Sequence, residues 1–283
     1  EPSGLAMTLT ANFRDTTLET KKETESMSKA KAAITTEEIQ SISRKLEGKT
    51  PQDVLEWGLE RLQPKIALSS SFGAEDVALI DMLWRIDPKA RVFTLDTLRL
   101  PTETYTVMDQ IRLRYGMNLE VYYPDMNKVR PMVEEHGFNL FYKSLDMRHL
   151  CCDVRKVEPV ERALKDLDGW ITGLRRDQAP TRANIGKVEP DDAHPGKVKL
   201  NPLAAWTSDQ VWAYIRQNQV PYNELHDKNY PSIGCDPCTR AVLQGEDPRA
   251  GRWWWELDPN SKECGLHVVQ AAEGPKLVRS KGR

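Results

Sequence analysis

Between Lys65 and Leu174 the chain alternates short apolar runs with longer amphipathic segments, and this alternation narrows the choice of fold more than anything else in the sequence. The run from Lys65 to Ser69 is of the kind that fills a parallel strand buried on both faces. Small polar residues follow it, then a helical pattern from about Glu75. "ARVFTLDT", "NLEVYYP" and "GWITGL" repeat the theme, with helical stretches "PTETYTVMDQIRLRYG", "MNKVRPMVEEHG" and "EPVERALKDL" between them. "VKLNPLAAW" is a further candidate strand. Strands that alternate with helices need crossover connections, so the expected class is α/β with a mostly parallel sheet flanked by helices. Ligands of such sheets bind at the carboxyl ends of the strands. Ser69 to Asp76, Asp96 to Arg99 and Gly173 to Arg176 fall at those ends.

The rest of the chain is arranged around this core. Residues 1–34 are rich in Thr, Lys, Glu and Ser and poor in large apolar side chains, which predicts a disordered segment. They lack the apolar run of a signal peptide, and their acidic residues argue against a transit peptide. Residues 35–222 hold the α/β domain. It opens with two helices, "TTEEIQSISRKLEG", with Thr36 as N-cap and Gly48 as stop, and "PQDVLEWGLERL". Residues 223–283 are rich in Pro, Gly, Cys, Asp and Trp and predict a loop-rich extension packed on the ligand edge of the sheet. No apolar run reaches membrane-spanning length. Forty basic against 42 acidic residues give a net charge of -2, which disfavours a general nucleic-acid binder.

The five cysteines divide as four plus one. Cys151–Cys152 and Cys235–Cys238 form two close pairs, and thiolates at such spacing are soft ligands for zinc or an iron–sulfur cluster. Neighbouring cysteines on a helix point about 100° apart, which suits a bulky cluster better than one tetrahedral ion and leaves zinc open. "SSSFGAED" is a small-residue turn into a helix and a potential anion site. It is neither a Walker A loop nor a dinucleotide-binding glycine motif. An ordinary turn capped by Ser71 competes with that reading. Arg155, Lys156, Arg175, Arg176, Arg182, Arg249 and Arg252 together suggest an anionic ligand. Cys264, in "NSKECGLHVV", is an idle thiol or a redox one; Lys262 or His267 could lower its pKa.

The segments "SSSFGAEDV", "LDTLRLPTETY", "CCDVRKVEPV", "ITGLRRDQ…TR", "IGCDPCT" and "GRWWWE…KECGLH" together resemble the assimilatory adenylyl-sulfate reductases. These form the cluster-bearing branch of the phosphoadenylyl-sulfate reductase family, and the resemblance runs from Ile66 to His267. It implies an adenine nucleotide alpha hydrolase-like fold with a mobile C-terminal tail, and cytoplasmic work in sulfate assimilation and cysteine biosynthesis. Cys264 would attack the sulfur of adenylyl sulfate, release AMP and carry a thiosulfonate. A thioredoxin or glutaredoxin-like protein would then release sulfite. Cys151, Cys152, Cys235 and Cys238 would hold a 4Fe-4S cluster, with Lys156 between cluster and ligand. Ser69, Ser71, Gly73, Asp76 and Leu95 would contact the nucleotide. Arg176, Arg249, Arg252 and His267 would serve the charged end of the substrate. Two departures stand out. Leu98 occupies a position where the family's motif has glycine, and no thioredoxin-like domain follows the tail, so the reductant is expected to be a separate protein. The competing readings are a phosphoadenylyl-sulfate reductase, an ATP-dependent thiolase and a zinc-stabilised nucleotide-binding module. Self-association is left open.

Overall fold

A computed structural model describes residues 34–256. Its centre is a six-stranded sheet of β1 (Ile66–Ser69), β2 (Arg91–Leu95), β3 (Leu119–Tyr122), β4 (Gly169–Ile171), β5 (Val188–Pro190) and β6 (Val198–Leu200). The spatial order is β3-β2-β1-β4-β6-β5, and every neighbouring pair is parallel except β5 with β6. The helices are α1 (Thr36–Leu46), α2 (Pro51–Leu62), α3 (Ala74–Ile86), α4 (Thr102–Tyr115), α5 (Met126–His136), α6 (Leu145–Cys152), α7 (Glu158–Leu164) and α8 (Ser208–Gln217).

Successive strand residues face opposite sides, so each central strand feeds two cores. Ile66 and Leu68 of β1 and Ile171 of β4 pack with Val54, Leu55, Val77, Ile80 and Ile111. Ala67, Phe93 and Trp170 point the other way, onto Val160 and Leu164 of α7. Burial on both faces explains why these strands read as continuous apolar runs. The antiparallel β5 was not legible in the sequence. It has three residues and ends in Pro190, which an edge strand accommodates.

Two expected helix starts shift. Thr35, not Thr36, caps α1: its Oγ1 accepts from Glu38 N at 3.2 Å, and Glu38 Oε2 accepts from Thr35 N at 2.9 Å. This reciprocal pair satisfies two orphan donors at once, which Thr36 could not do from inside the helix. The helix α3 begins at Ala74, with Gly73 as its N-cap and no side-chain cap.

The strand order sets the site. β1 has β2 on one side and β4 on the other, so the chain leaves β1 in one direction and returns on the opposite side. The carboxyl ends of β1 and β4 therefore part at a switch point, where an open α/β sheet forms its crevice. After residue 222 the described chain holds only short 3-10 turns and one bridge, Thr239 with Arg252, as its loop-rich composition predicts. No described helix is long and apolar enough to cross a membrane.

Candidate functional site

A cavity of about 990 Å³ occupies the switch point. One wall is the turn from β1 into α3. Phe72 sits in the left-handed region at φ 59° with its ring fully buried. That is strained backbone for a bulky residue, and such strain concentrates at functional sites. Ser70 Oγ accepts from Phe72 N at 3.1 Å and helps to hold the turn. Ser71 does not cap α3: its N and Oγ donate to Asp76 Oδ2 at 2.6 and 2.8 Å. The helix start is thus left without a side-chain cap, because the serine that could have closed it is bound to Asp76.

Asp76 is buried, and burial pushes its carboxyl up to about 6 against the hydrogen bonds from Ser71. The opposite wall approaches closely here. A Cβ on Gly173 would lie 2.3 Å from Asp76 Oδ1 and 2.9 Å from Glu75 Cβ, so only glycine fits at the end of β4. Asp76 therefore holds the turn through Oδ2, with Oδ1 packed toward Gly173 beyond the end of β4.

The structure brings Ser69, Ser71, Gly73, Asp76, Leu95, Lys156, Arg176, Arg249 and Arg252 to this one cavity. Arg176 lines it, yet its guanidinium is held by Glu47 Oε1 at 2.6 Å and Ile185 O at 2.9 Å. Arg175 is likewise bound, by Glu75 Oε1 at 2.8 Å. Cys264 and His267 lie outside the described residues.

Behind the cavity lies a second, smaller one, lined by Cys151, Cys152, Cys235 and Cys238. The first pair ends α6, and a π-helical turn, Asp153–Val157, follows. Such wide turns are rare and occur frequently at functional sites. This one holds Arg155, whose Nη1 donates to Thr97 O at 2.8 Å, and Lys156. Thr97 Oγ1 lies 3.2 Å from Cys235 Sγ and ties β2's carboxyl end to the second pair. Burial pushes the Cys151 thiol up and the Cys238 thiol up to about 12.

Four thiolates would be costly in such a place. The cavity supplies compensation: Arg99, Arg148, Arg155, Lys156 and Arg252 also line it. Among the described residues no three His, Cys, Asp or Glu side chains stand close enough to share a single metal ion. Four thiols that line one small cavity among cations are a donor set for a group that binds thiolate, zinc or an iron–sulfur cluster. Sequence reasoning gave no role to Thr97, Trp253 or Gly234. Only the quoted "LDT", "RWWW" and "IGC" strings marked them.

The two cavities share Lys156, Arg252 and Trp253. A ligand in the first is thus separated from the thiols by two cations and an indole. The family model for the phosphoadenosine phosphosulfate reductase domain matches residues 65–241, more than half of the chain. This protein belongs to that family. Within it, the chain is 50% identical over 202 residues to the adenosine 5'-phosphosulfate reductase of Allochromatium vinosum, covering 71% of this chain and 78% of that one. It is 44% identical over 254 residues to the chloroplastic 5'-adenylylsulfate reductase 1 of Arabidopsis thaliana, covering 87% of this chain and about half, 54%, of the plant protein. Among solved structures, the phosphoadenylyl-sulfate (PAPS) reductase from Candida auris, a phosphate complex, superimposes with a TM-score of 0.64 at 30% identity. That match covers 75% of this chain and 99% of the other.

Leu98 can now be weighed against the reductase motif's glycine. It keeps the left-handed conformation, at φ 58°, and donates its N–H to Asp96 Oδ1 at 2.8 Å. The backbone has the form a glycine would take, and the leucine side chain is exposed. The departure is therefore met by local strain of about 1 kcal/mol, not by a different loop.

Proposed function

We propose that this protein reduces adenylyl sulfate to sulfite and AMP in assimilatory sulfate reduction, with the cytoplasm as its compartment. One observation carries the reading: a strand-edge cavity of nucleotide size shares a cationic wall with four clustered thiols, in a chain 50% identical over 202 residues to a named adenosine 5'-phosphosulfate reductase. The α/β domain, residues 35–222, would bind the nucleotide. The extension, residues 223–283, would complete the cluster site and supply the nucleophile.

In this reading Ser69, Ser71, Gly73 and Leu95 face the nucleotide, and Asp76 holds the turn that carries Ser71 and Gly73. Lys156, Arg249 and Arg252 face the phosphosulfate, joined by His267 from the tail; Arg176 would have to exchange Glu47 for the ligand. The Cys264 thiolate attacks the sulfate sulfur, and the bond from sulfur to the bridging oxygen breaks. AMP leaves with the electron pair on its phosphate, and Cys264 carries an S-sulfonate. A thiolate of a dithiol protein of the thioredoxin class then attacks Cys264 Sγ, and sulfite departs. The second thiol of that protein resolves the mixed disulfide, which restores Cys264 and leaves the reductant as a disulfide. Two electrons thus come from the dithiol. Convergent fixed cations suit a leaving group that gains charge as the bond breaks.

Cys151, Cys152, Cys235 and Cys238 would hold a 4Fe-4S cluster. When bound, it would supply fixed charge beside the ligand and no electrons to it.

The test is thioredoxin-dependent sulfite release from adenylyl sulfate and from its 3'-phosphorylated form, on anaerobically purified protein. Preference for the unphosphorylated substrate supports the reading. Preference for the phosphorylated one would place the protein with the Candida auris enzyme it resembles in fold. Cys264→Ser should abolish sulfite formation while nucleotide still binds; retained turnover would remove Cys264 from the chemistry.

A further inference from the structure

Arg252 stands on the wall between the cavities, and a residue without a side chain sets where it stands. The segment that carries it runs back along the second cysteine pair. Arg240 N donates to Gly251 O at 3.0 Å, and Trp253 N donates to Cys238 O at 3.1 Å. This pairing brings Arg252 over the Ser232–Gly234 turn. There its side chain is buried, and Nη1 donates to Ser232 Oγ at 3.2 Å and Ile233 O at 3.3 Å. The guanidinium carbon lies 4.7 Å from the centroid of the Trp253 ring.

A Cβ built on Gly234 would lie 2.2 Å from Arg252 Nη2 and 2.6 Å from its guanidinium carbon. The atoms it would meet belong to the far end of a flexible side chain, not to backbone. Gly234 is also outside the left-handed region, so alanine suits its backbone. A methyl group here would therefore move the guanidinium and leave the fold intact. That separates it from Gly173, where the crowding involves a buried carboxylate and a helix Cβ.

A second observation points to a ligand. Arg252 Nε is buried and has no hydrogen-bond partner among the described residues. A buried orphan donor is destabilising, and native proteins keep one mainly where something else completes it. Packing on the indole and the glycine fixes the plane of the fork, and an oriented fork is what bidentate recognition of an oxyanion needs.

We propose that Gly234 is a positioning residue for the reductase: by its lack of a side chain it seats the Arg252 guanidinium on the shared wall, where the fork meets a phosphate or sulfate oxygen of the bound substrate. The inference rests on the function proposed above and goes beyond it by adding a residue at the cavity lining that acts through the Arg252 side chain it seats.

Calorimetric binding of adenylyl sulfate to the full, cluster-loaded chain tests it, in a Cys264→Ser background that stops turnover. Gly234→Ala should weaken binding about tenfold, as loss of one charge-assisted contact does, with iron content and melting temperature retained. In an Arg252→Ala background the same change should have no further effect, because contacting residues are non-additive. Equal affinity of Gly234→Ala and the parent, or a full additive loss in the Arg252→Ala background, would overturn the proposal. If Gly234→Ala loses iron or fails to fold, Ser232→Ala carries the test. It removes one of the two acceptors, Ser232 Oγ and Ile233 O, that seat the same guanidinium, so binding should fall several-fold, and unchanged affinity overturns the proposal. A parent chain that binds no adenylyl sulfate would instead sink the functional reading on which the inference stands.

Discussion

At the strand edge, the cavity walls come from the ends of β1 and β4 and from turns whose polar groups are satisfied within a few residues, as Ser71 is by Asp76. The cysteine cavity has local bonds too, such as Gly234 N to Thr239 Oγ1 at 3.1 Å, but little regular structure on its second side. Its second half, residues 232–253, contains no strand and no helix beyond a single 3-10 turn. It is pinned in addition by contacts from distant parts of the chain. Tyr142 Oη donates to Pro237 O at 2.8 Å, Asp236 N donates to Arg99 O at 2.8 Å, and the buried Arg148 pairs with Glu256 at 2.6 Å. Arg148 also lies 4.6 Å from the Trp253 ring centroid. The first region should fold with the sheet. The second gathers cations around four thiols, so its order should depend on a bound group that turns those thiols into thiolates. Where a site is preformed only in the folded state, binding free energy becomes folding free energy.

The largest effect should come from Cys235→Ser. Iron and sulfide should be lost, and hydrogen exchange should rise across residues 232–253 while the β1, β2 and β4 amides stay protected. Loss of protection in the sheet as well would show that the two regions are one cooperative unit.

Asp76→Asn probes the strand edge through pH. The folded carboxyl titrates at about 6, above its ordinary 3.8, so the folded state holds the proton more tightly than the unfolded one. The associated stability is present below pH 3.8 and is lost as pH rises through about 6. That loss is about 2–3 kcal/mol. Asparagine carries no charge and removes it, so denaturant unfolding at pH 4 and pH 7 should show the wild-type-minus-variant difference falling by that amount. A pH-independent difference would mean that Asp76 is not desolvated.

Gly173→Ala should be destabilising by about 1–3 kcal/mol, because the added methyl overpacks against Asp76 and Glu75. Nucleotide affinity should fall while iron content stays, the reverse of the Cys235→Ser pattern. A loss of iron would break the division drawn here.

The smallest effect is expected at Leu98→Gly. Relief of left-handed strain should be stabilising by a few tenths to about 1 kcal/mol, seen as a rise of about 1–4 °C in melting temperature. A drop would show that the unfolded-state entropy of glycine outweighs the strain it relieves.

The sequence on its own determined the α/β class, since apolar runs of strand length alternating with helical periods leave few other ways to bury both faces of a sheet. It also marked the two cysteine pairs and the small-residue turn, because composition and spacing are local properties. Local patterns misplaced the α1 cap by one residue and gave Ser71 the cap of α3, because the acceptors that won, in Thr35 and Asp76, depend on the three-dimensional course of each turn. Tertiary structure alone decided that β1 and β4 part to form the crevice, that Glu47 occupies Arg176, that Thr97 reaches Cys235, and that Gly234 lies under Arg252. The last two pairs are 138 and 18 residues apart in number. No periodicity connects such positions: they meet only when the extension packs over the sheet edge.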